Sequence, residues 1–393
     1  MNTGLTTIVT GQIAQYPLGG VTWFYIQYLL GLKQLGHEVY YIEDSGQWPF
    51  SPLEAGLTKD PTANIQYLAN ALESYGLGDR WSYRYPKGKV WHGLNDSRRR
   101  EIIESADILI NVSGTLEHPE EYRSIPLLVY IDTDPVFTQI KLARGQADYR
   151  AWVDSHDIHF SFGERIGSDL PHNVPDTGID WIPTRAPVVI SEWNPDTPFR
   201  DVYTTVMNWT SHNSMEYEDK SYGQKDVEFG QFITLPKRVE PIQIEVAAGA
   251  GKNRHTPYDL LKYNGWQIVN PDDVCPDLES FRDYTQSSRG EWSIAKNGYV
   301  LGQSGWFSER SARYLAAGRP VVAQETGFTG IIPTGEGLLS YTNLEEAVAA
   351  ISEVERDYER HAKAARRIAE THFDSDKVLG DLVNTALKRK GDE

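Results

Sequence analysis

Cysteine is nearly absent from the sequence, since Cys275 is the single one among 393 residues. A single thiol excludes an intramolecular disulfide framework, and no Cys and His residues have the spacing of a zinc site. Long apolar runs are absent too, because none approaches the ~18–20 residues of a membrane span. The first residues, MNTGLTTIVTGQ, lack the basic start and apolar run of a secretory signal. We therefore expect a cytoplasmic protein without a transmembrane segment.

Positive charge is also scarce, because 38 Lys and Arg residues stand against 55 Asp and Glu residues, for a net charge of −17. This balance opposes binding to nucleic acid, so neither DNA nor RNA is expected as a partner. It leaves room for a local basic pocket that binds a small anion. With 40 % hydrophobic residues, a chain of this length predicts two domains, each with a buried core.

The first half of the chain has the pattern of a parallel α/β sheet. A predicted strand at 6–11 leads through a loop to a helix over about 21–35 and a second strand at 38–43. Gly19 and Gly20 close that loop, and glycine lets the backbone approach a phosphate or an acceptor closely. The alternative is an ordinary turn with no ligand.

Two carboxylates follow an apolar strand in the same half. The run 126–131 predicts a buried strand, and Asp132 and Asp134 come directly after it. Because strand carboxyl ends face the ligand cleft in doubly wound sheets, one of these aspartates is a candidate general base. The alternative is that one of them caps the helix that follows Pro135.

The stretch 302–327, GQSGWFSERSARYLAAGRPVVAQETG, predicts a small-residue loop, a helix, a short buried strand and a second loop. Ser308 is suited to cap the helix, and Gly318 follows the helix end. Free N–H groups and the dipole at the helix start would stabilise an anion such as a diphosphate in the preceding loop. The alternative is one more helix-to-strand turn with a serine cap.

Proline residues concentrate between 180 and 200, so we place a domain boundary there, with domains at 1–198 and 199–393. The charged helical region at the C-terminus is a candidate to pack back on the first domain. The predicted fold class is α/β, with two Rossmann-like, doubly wound parallel-sheet domains that face a central cleft.

Two stretches together resemble a known family. GGVTWFYIQYLLGLKQLGHEVYYIED resembles the first Gly-loop, helix and strand of group 1-like glycosyltransferases with the GT-B fold, and SGWFSERSARYLAAGRPVVAQETG resembles their donor-site segment. The resemblance implies acceptor binding mainly in the N-terminal domain and nucleotide-sugar binding mainly in the C-terminal one. It implies a metal-independent, hexosyltransferase-like enzyme that moves a sugar from a nucleotide-diphosphate sugar, with UDP as the expected nucleotide, to an acceptor hydroxyl. No cofactor is implied besides that co-substrate.

The chain departs from this family at one position. Many such enzymes place a Glu five residues before the Gly of the Gly-x-Pro segment, where it holds the ribose hydroxyls. Arg313 stands at that position here, and Glu309, one turn earlier, is the candidate substitute.

Candidate ligands for the donor lie near the predicted strand ends and the helix start. For the diphosphate we expect the cations Arg254, Arg289, Lys296 and Arg310 and the backbone N–H groups from Gly305 through Ser308 to Glu309, with Ser304 in the preceding loop. For the sugar hydroxyls we expect Gln324, Glu325, Thr326 and Gly327. The alternatives are surface cations and a polar turn.

Two other functions remain open at this point. A sugar-nucleotide epimerase or hydrolase on the same scaffold would turn over the donor without a second substrate. A non-catalytic nucleotide- or sugar-binding protein would bind without turnover.

Overall fold

The structure is a computed structural model, and it describes residues 4–52, 54–87, 90–249 and 256–391. In these ranges the strands, in chain order, are β1 (Thr6–Thr10), β2 (Glu38–Glu43), β3 (Phe50–Ser51), β4 (Gly56–Leu57), β5 (Trp81–Tyr85), β6 (Val90–Gly93), β7 (Ile108–Val112), β8 (Leu127–Asp132), β9 (Ile158–Ser161), β10 (Trp181–Pro183), β11 (Val202–Asn208), β12 (Met215–Tyr217), β13 (Lys220–Tyr222), β14 (Gln243–Gly249), β15 (Gln267–Val269), β16 (Gly290–Ser293), β17 (Val321–Gln324) and β18 (Leu338–Tyr341).

The helices alternate with these strands along most of the chain. They are α1 (Gly19–Gln34), α2 (Thr62–Glu73), α3 (Asp96–Ser105), α4 (Phe137–Ala143), α5 (Ala147–Asp154), α6 (Lys225–Phe229), α7 (Leu235–Arg238), α8 (Tyr258–Tyr263), α9 (Pro271–Val274), α10 (Leu278–Gln286), α11 (Asn297–Gly302), α12 (Glu309–Ala316), α13 (Leu344–Arg356), α14 (Tyr358–Ile368) and α15 (Ser375–Gly391). Such alternation is typical of parallel α/β folds.

Two separate sheets organise the molecule. The first has the strand order β10-β9-β8-β7-β1-β2-β5-β6, and the second has the order β15-β14-β11-β16-β17-β18. Neighbouring strands are parallel in both sheets, except that the edge strand β6 runs antiparallel to β5. β7 and β8 are buried along their whole length, which explains their largely apolar sequence. The α/β architecture with two parallel sheets, as predicted from the sequence, is confirmed.

The chain passes from one sheet to the other in the proline-rich region. The last strand of the first sheet ends at Pro183, and the first strand of the second sheet begins at Val202. The final helix α15 returns to the first domain, where it packs on α1 and also contacts β8 and β9. A side chain at Gly31 of α1 would collide with Leu379 of α15, since their carbons would lie only 2.6 Å apart.

Aromatic side chains fill the cores on which the strand ends rest. In the second domain the Trp292 ring on β16 lies 5.0 Å from the Trp266 ring and 5.5 Å from the Phe229 ring. In the first domain Trp23 of α1 packs on Trp193, with ring centroids 5.1 Å apart. Each sheet therefore has a packed core that fixes the position of its loops.

The described ranges contain no helix that is both long and apolar enough to cross a lipid bilayer. Within the same ranges, no three His, Cys, Asp or Glu side chains are grouped to hold a metal ion. Cys275 is buried as a free thiol, and burial raises its pKa to about 12. Its thiolate is thus scarce at neutral pH, as expected of an inert cysteine.

Candidate active site

The carboxyl ends of strands from both sheets meet across a cleft between the domains. On the first domain, β8 ends at Asp132 and leads into the loop 133–136, whereas on the second, β16 ends at Ser293 and leads into α11. The two loops touch directly, because Nζ of Lys296 lies 2.8 Å from Oδ1 of Asp134. A ligand bound between the two sheets would lie beside this contact.

Asp134 is held by three side chains of the second domain. Lys296 forms an ion pair with it, Tyr299 donates its hydroxyl to Oδ1, and Nε2 of His212 lies 3.6 Å from Oδ2. Burial by itself would raise the pKa of Asp134, but the Lys296 charge and the three hydrogen-bonding partners outweigh burial and lower the pKa well below its ordinary value. Asp134 is therefore an anion that joins the two domains.

Asp132, predicted with Asp134 as a candidate base, has a different environment. Its side chain is buried and accepts hydrogen bonds from Thr138 Oγ1 at 2.7 Å, Gln139 Nε2 at 2.8 Å and Ser161 Oγ at 3.0 Å. Burial raises the pKa of Asp132. Because both carboxylate oxygens are engaged inside the first domain, we correct the expectation of a catalytic role: Asp132 positions the loop that carries Asp134.

The loop that carries Asp134 packs tightly on α11. Val136 has φ 74° and ψ −57°, a conformation that costs of order 1–3 kcal/mol in a β-branched residue. Its side chain lies against the backbone of Gly302, and Phe137 lies against Gly298, where a Cβ atom would come within 2.5 Å of the ring. Two glycines on one helix thus let the first domain approach the backbone of α11.

A half-buried lysine, Lys225, completes the cationic side of the site. It begins α6 and lies beside Lys296 and Arg310. Burial lowers the pKa of Lys225 well below its ordinary value and the two neighbouring cations lower it further, although the charges of Glu309 and Glu291 act in the opposite direction. No carboxylate of the described residues comes within ion-pair distance of its Nζ atom. Lys225 is not among the residues predicted from the sequence, because it lies in a polar segment, 210–230, that has no motif.

Arg310, a predicted diphosphate ligand, lies in this region but is already engaged. It forms an ion pair with Glu291 and donates to the carbonyl of Val206 at 2.6 Å and to Ser293 Oγ at 2.8 Å. Its side chain is buried, so these bonds link α12 to β11 and β16. The structure therefore supports a structural role for Arg310, whose charge is paired with Glu291.

Arg289, another predicted diphosphate ligand, lies at the wrong edge of the sheet. It directly precedes β16, so it is at the amino end of a strand whose carboxyl end faces the cleft. Its guanidinium binds Glu355 with two bonds of 2.7 Å and Asp201 with one of 2.8 Å. We correct that assignment accordingly. Arg254, a third predicted ligand, lies outside the described residues.

The loop that precedes α12 packs against the loop that follows β17. The N–H of Gly305 donates to the carbonyl of Thr326 at 2.9 Å, and the hydroxyl of Thr326 donates to the carbonyl of Trp306. Gly305 and Gly327 both have positive φ, and a Cβ atom at Gly327 would lie 2.5 Å from the Gln303 carbonyl oxygen. The predicted loop before α12 is present, and its glycines serve this close packing, whereas its role in donor binding stays a prediction.

The side chains of the donor loop are largely enclosed. Ser304 is buried, and its Oγ has no hydrogen-bond partner among the described residues. Ser308 precedes α12 but makes no side-chain cap, and it lines a void of about 10 Å³, room for about one water. Glu309 is half-buried in the first turn of α12, where its charge already interacts with the helix dipole.

Gln324 and Glu325, both predicted to bind sugar hydroxyls, have different hydrogen-bond partners. Gln324 is the last residue of β17, and Glu325 follows it. Gln324 donates to Glu228 at 2.6 Å and accepts the N–H of Ala295 at 3.1 Å, so both its amide nitrogen and its amide oxygen already have partners. Glu325 accepts the N–H of Gly327 at 2.6 Å through Oε1, whereas Oε2 is buried without a partner in the described ranges. Of the two, Glu325 retains an acceptor for a hydroxyl.

Gly19 and Gly20 lie at the interface between the domains. A side chain at Gly19 would collide with the carbonyl of Asp277, and one at Gly20 would come within 3.0 Å of the Phe281 ring. Arg313 also reaches this interface, since its Nη1 donates to the carbonyl of Gly20 at 3.2 Å. In the structure these glycines therefore allow α1 to pack on α10, rather than facing an open ligand space.

A buried carboxylate at the end of β2 holds the loop between β1 and α1. Glu43 accepts the N–H of Ala14 at 2.8 Å, the N–H of Gln15 at 2.6 Å and the hydroxyl of Tyr41 at 2.8 Å. Tyr41 in turn accepts the N–H of Ile13 at 2.9 Å. Glu43 is not among the residues predicted from the sequence, although a charged residue that ends an apolar strand is a usable signal.

A larger cavity, of about 340 Å³, lies elsewhere and is not part of this site. Its lining includes Arg200, Glu245 and Tyr284, which are bonded to one another at the amino edge of the second sheet. Ligands of parallel sheets bind at the opposite edge. We therefore place the candidate site at Asp134, Lys296 and their neighbours.

Comparison with known proteins supports the fold by structure alone. No protein-family model matches the chain, and neither does any curated protein sequence. A glycosyltransferase involved in avilamycin A biosynthesis is similar in structure, with 14 % identity, a TM-score of 0.52 and 98 % of each chain covered.

Two further solved structures extend this likeness. An alpha-glucosyltransferase in complex with UDP and a 13-mer DNA has 14 % identity and a TM-score of 0.57, over 97 % of this chain and 99 % of that one. Sucrose-phosphate synthase from Thermosynechococcus elongatus has 11 % identity and a TM-score of 0.54, over 97 % and 99 %. The chain thus has the two-domain fold of these glycosyltransferases, and the predicted GT-B architecture is confirmed.

Proposed function

We propose that the protein transfers a sugar from a nucleotide-diphosphate sugar, with UDP as the expected nucleotide, to an acceptor hydroxyl. The observation that carries the proposal is the cationic side of the cleft. Lys225 and Lys296 lie together at the carboxyl end of the second sheet, and Lys225 has no carboxylate partner among the described residues. A diphosphate would supply the ion-pair partner that Lys225 lacks.

The similar structures add a second line of support. Alpha-glucosyltransferase has been solved with UDP and with UDP-glucose, in the fold that this chain shares. Several structures of that enzyme also hold DNA, a partner that the net charge of −17 makes unexpected for this chain. The absence of a nucleic-acid partner therefore stays a prediction, as do the location in the cytoplasm and the independence from metal ions.

The residues of the cleft suggest how the reaction would proceed. The acceptor oxygen attacks the anomeric carbon, the bond from that carbon to the diphosphate oxygen breaks, and the electron pair leaves with the nucleoside diphosphate. Lys225 and Lys296 stabilise the charge that develops on the diphosphate. Asp134 accepts the proton of the acceptor hydroxyl, and Oε2 of Glu325 accepts a hydroxyl of the sugar.

Thermal unfolding with UDP, GDP, dTDP, ADP and CDP, each with and without magnesium, tests the donor. A ligand at 100 times its dissociation constant stabilises the protein by about 2.7 kcal/mol, which a melt resolves. Lys225→Met and Lys296→Met should each weaken binding of the active nucleotide about 10- to 100-fold, because each removes a charged hydrogen bond.

Lys220→Met is the matched control, since Lys220 is exposed on the neighbouring strand β13 and its loss should leave the affinity unchanged. If no diphosphate shifts the melting temperature, the proposal is wrong. Release of free sugar from the donor without any acceptor would instead favour a hydrolase, and binding without turnover would favour a non-catalytic protein.

A further inference from the structure

The first domain covers the proposed donor loop, which precedes α12. The N–H of Arg165 donates to the carbonyl of Ser304 at 2.9 Å, and the N–H of Asn173 donates to the carbonyl of Gly302 at 2.8 Å. Ser304 is 0 % exposed. A donor can therefore reach this loop only after the loops of the first domain have moved away from it.

The same closed arrangement places a carboxylate on the cations of the site. Asp134 comes from the first domain, and its oxygens lie 2.8 Å from Lys296 Nζ and 3.6 Å from His212 Nε2 of the second domain. Tyr299 adds a hydroxyl donor to the same carboxylate. The Asp134 carboxylate thus has one lysine, one imidazole and one hydroxyl as partners. A phosphate group also binds to groups of these types.

We propose that Asp134 occupies the place of the donor diphosphate on Lys296 and His212, so that the donor competes with Asp134 and releases it. This inference rests on the proposed function. It adds that the Asp134 carboxylate holds the two domains together. Asp134 becomes free to act as the general base only when the donor diphosphate has replaced it on Lys296 and His212.

Competition of this kind has a catalytic consequence. While Asp134 is paired with Lys296, its pKa lies well below the ordinary value, and such a carboxylate is a poor proton acceptor. Once the diphosphate neutralises Lys296, that cause of the lowered pKa is lost. The base therefore gains strength at the moment when donor and acceptor are both in place.

The test compares the affinity for UDP of the wild type and of Asp134→Asn, measured by calorimetry. Because only the open fraction of the wild type binds UDP, loss of the internal competitor should lower the dissociation constant about tenfold or more. Asp148→Asn is the matched control, since Asp148 is an exposed carboxylate in the first turn of α5 and its loss should leave the affinity unchanged.

A second variant separates competition from a simple loss of nearby charge. Gly302→Ala keeps every charge but sets a methyl group against Val136, which should push the loop of Asp134 away from α11. This variant should also bind UDP more tightly, and thermal melts of both variants show whether they are folded.

Each remaining result overturns the inference. Equal affinity for UDP in the wild type and Asp134→Asn would refute competition and leave the proposed function standing. Weaker binding of UDP by Asp134→Asn would show that Asp134 is a ligand of the donor. If Asp134→Asn bound UDP more tightly but Gly302→Ala did not, the tighter binding would result only from the loss of a nearby negative charge. If folded wild type and variants bind neither UDP nor inorganic pyrophosphate, both the inference and the proposed function are wrong.

Discussion

Replacement of Glu43 by glutamine tests how the end of β2 holds the loop between β1 and α1. Burial raises the pKa of Glu43 to about 7, from an ordinary value of 4.5, although its hydrogen bonds favour the ionised form. The folded state therefore binds the proton more tightly than the unfolded chain does. The stabilisation is fully present below pH 4.5 and is lost as the pH rises through about 7.

The size of this effect follows from the two pKa values. At about 1.4 kcal/mol for each pKa unit, ionisation of Glu43 in the folded protein costs about 3 kcal/mol of unfolding free energy. The amide of the Glu43→Gln variant does not titrate, so the difference in unfolding free energy between variant and wild type should move in the variant's favour by about 2–3 kcal/mol from ~pH 5 to ~pH 8. Any constant cost of the lost hydrogen-bond acceptor cancels in that comparison.

Urea melts at several pH values measure the difference directly. Glu104→Gln is the matched control, because Glu104 is exposed on α3 and its difference from the wild type should stay flat with pH. A flat difference for Glu43→Gln as well would refute the reasoning, since the carboxyl group would then titrate alike in the folded and unfolded states.

Two further predictions concern residues and ions outside the catalytic contacts. Arg289→Ala should lower the unfolding free energy by about 1–3 kcal/mol, because it breaks the bonds to Glu355 and Asp201, yet leave the affinity for UDP unchanged. If calorimetry showed a tenfold loss of affinity for UDP in Arg289→Ala, Arg289 would have to be a donor ligand after all. Removal of divalent ions with EDTA should leave both UDP binding and sugar transfer unchanged, and recovery of lost activity by added magnesium would contradict metal independence.

The alternation of strands and helices could be predicted because it follows from local patterns. The apolar run before Asp132 and the Gly-rich loop before α12 correspond to elements of the structure, and strand carboxyl ends in a parallel sheet share one edge. Asp134 and Lys296 could thus be placed near one cleft from sequence. Their direct contact could not, because it depends on how the two domains meet.

The predictions of ligand residues are wrong where they depend on residue type and not on the position of the residue in the sheet. Arg289 was predicted as a ligand because it precedes the donor segment, but a residue before a strand lies at the edge opposite the cleft. Arg310 was predicted from its place at a helix start, yet its side chain turns to Glu291 inside the domain. Lys225 was missed because its neighbours, Lys296 and Arg310, are distant in sequence.

The departure at Arg313 bears on how the nucleotide is held. Its guanidinium donates to the carbonyl of Gly20 and lies over the Phe281 ring at 5.4 Å, so the side chain joins the two domains. A carboxylate can accept a hydrogen bond from each of the two ribose hydroxyls, whereas an arginine side chain accepts none. Glu309 lies one turn earlier, where residues four apart on a helix are neighbours, and its charge reaches Arg313. We therefore expect Glu309 to hold the ribose and Arg313 to hold the domains together.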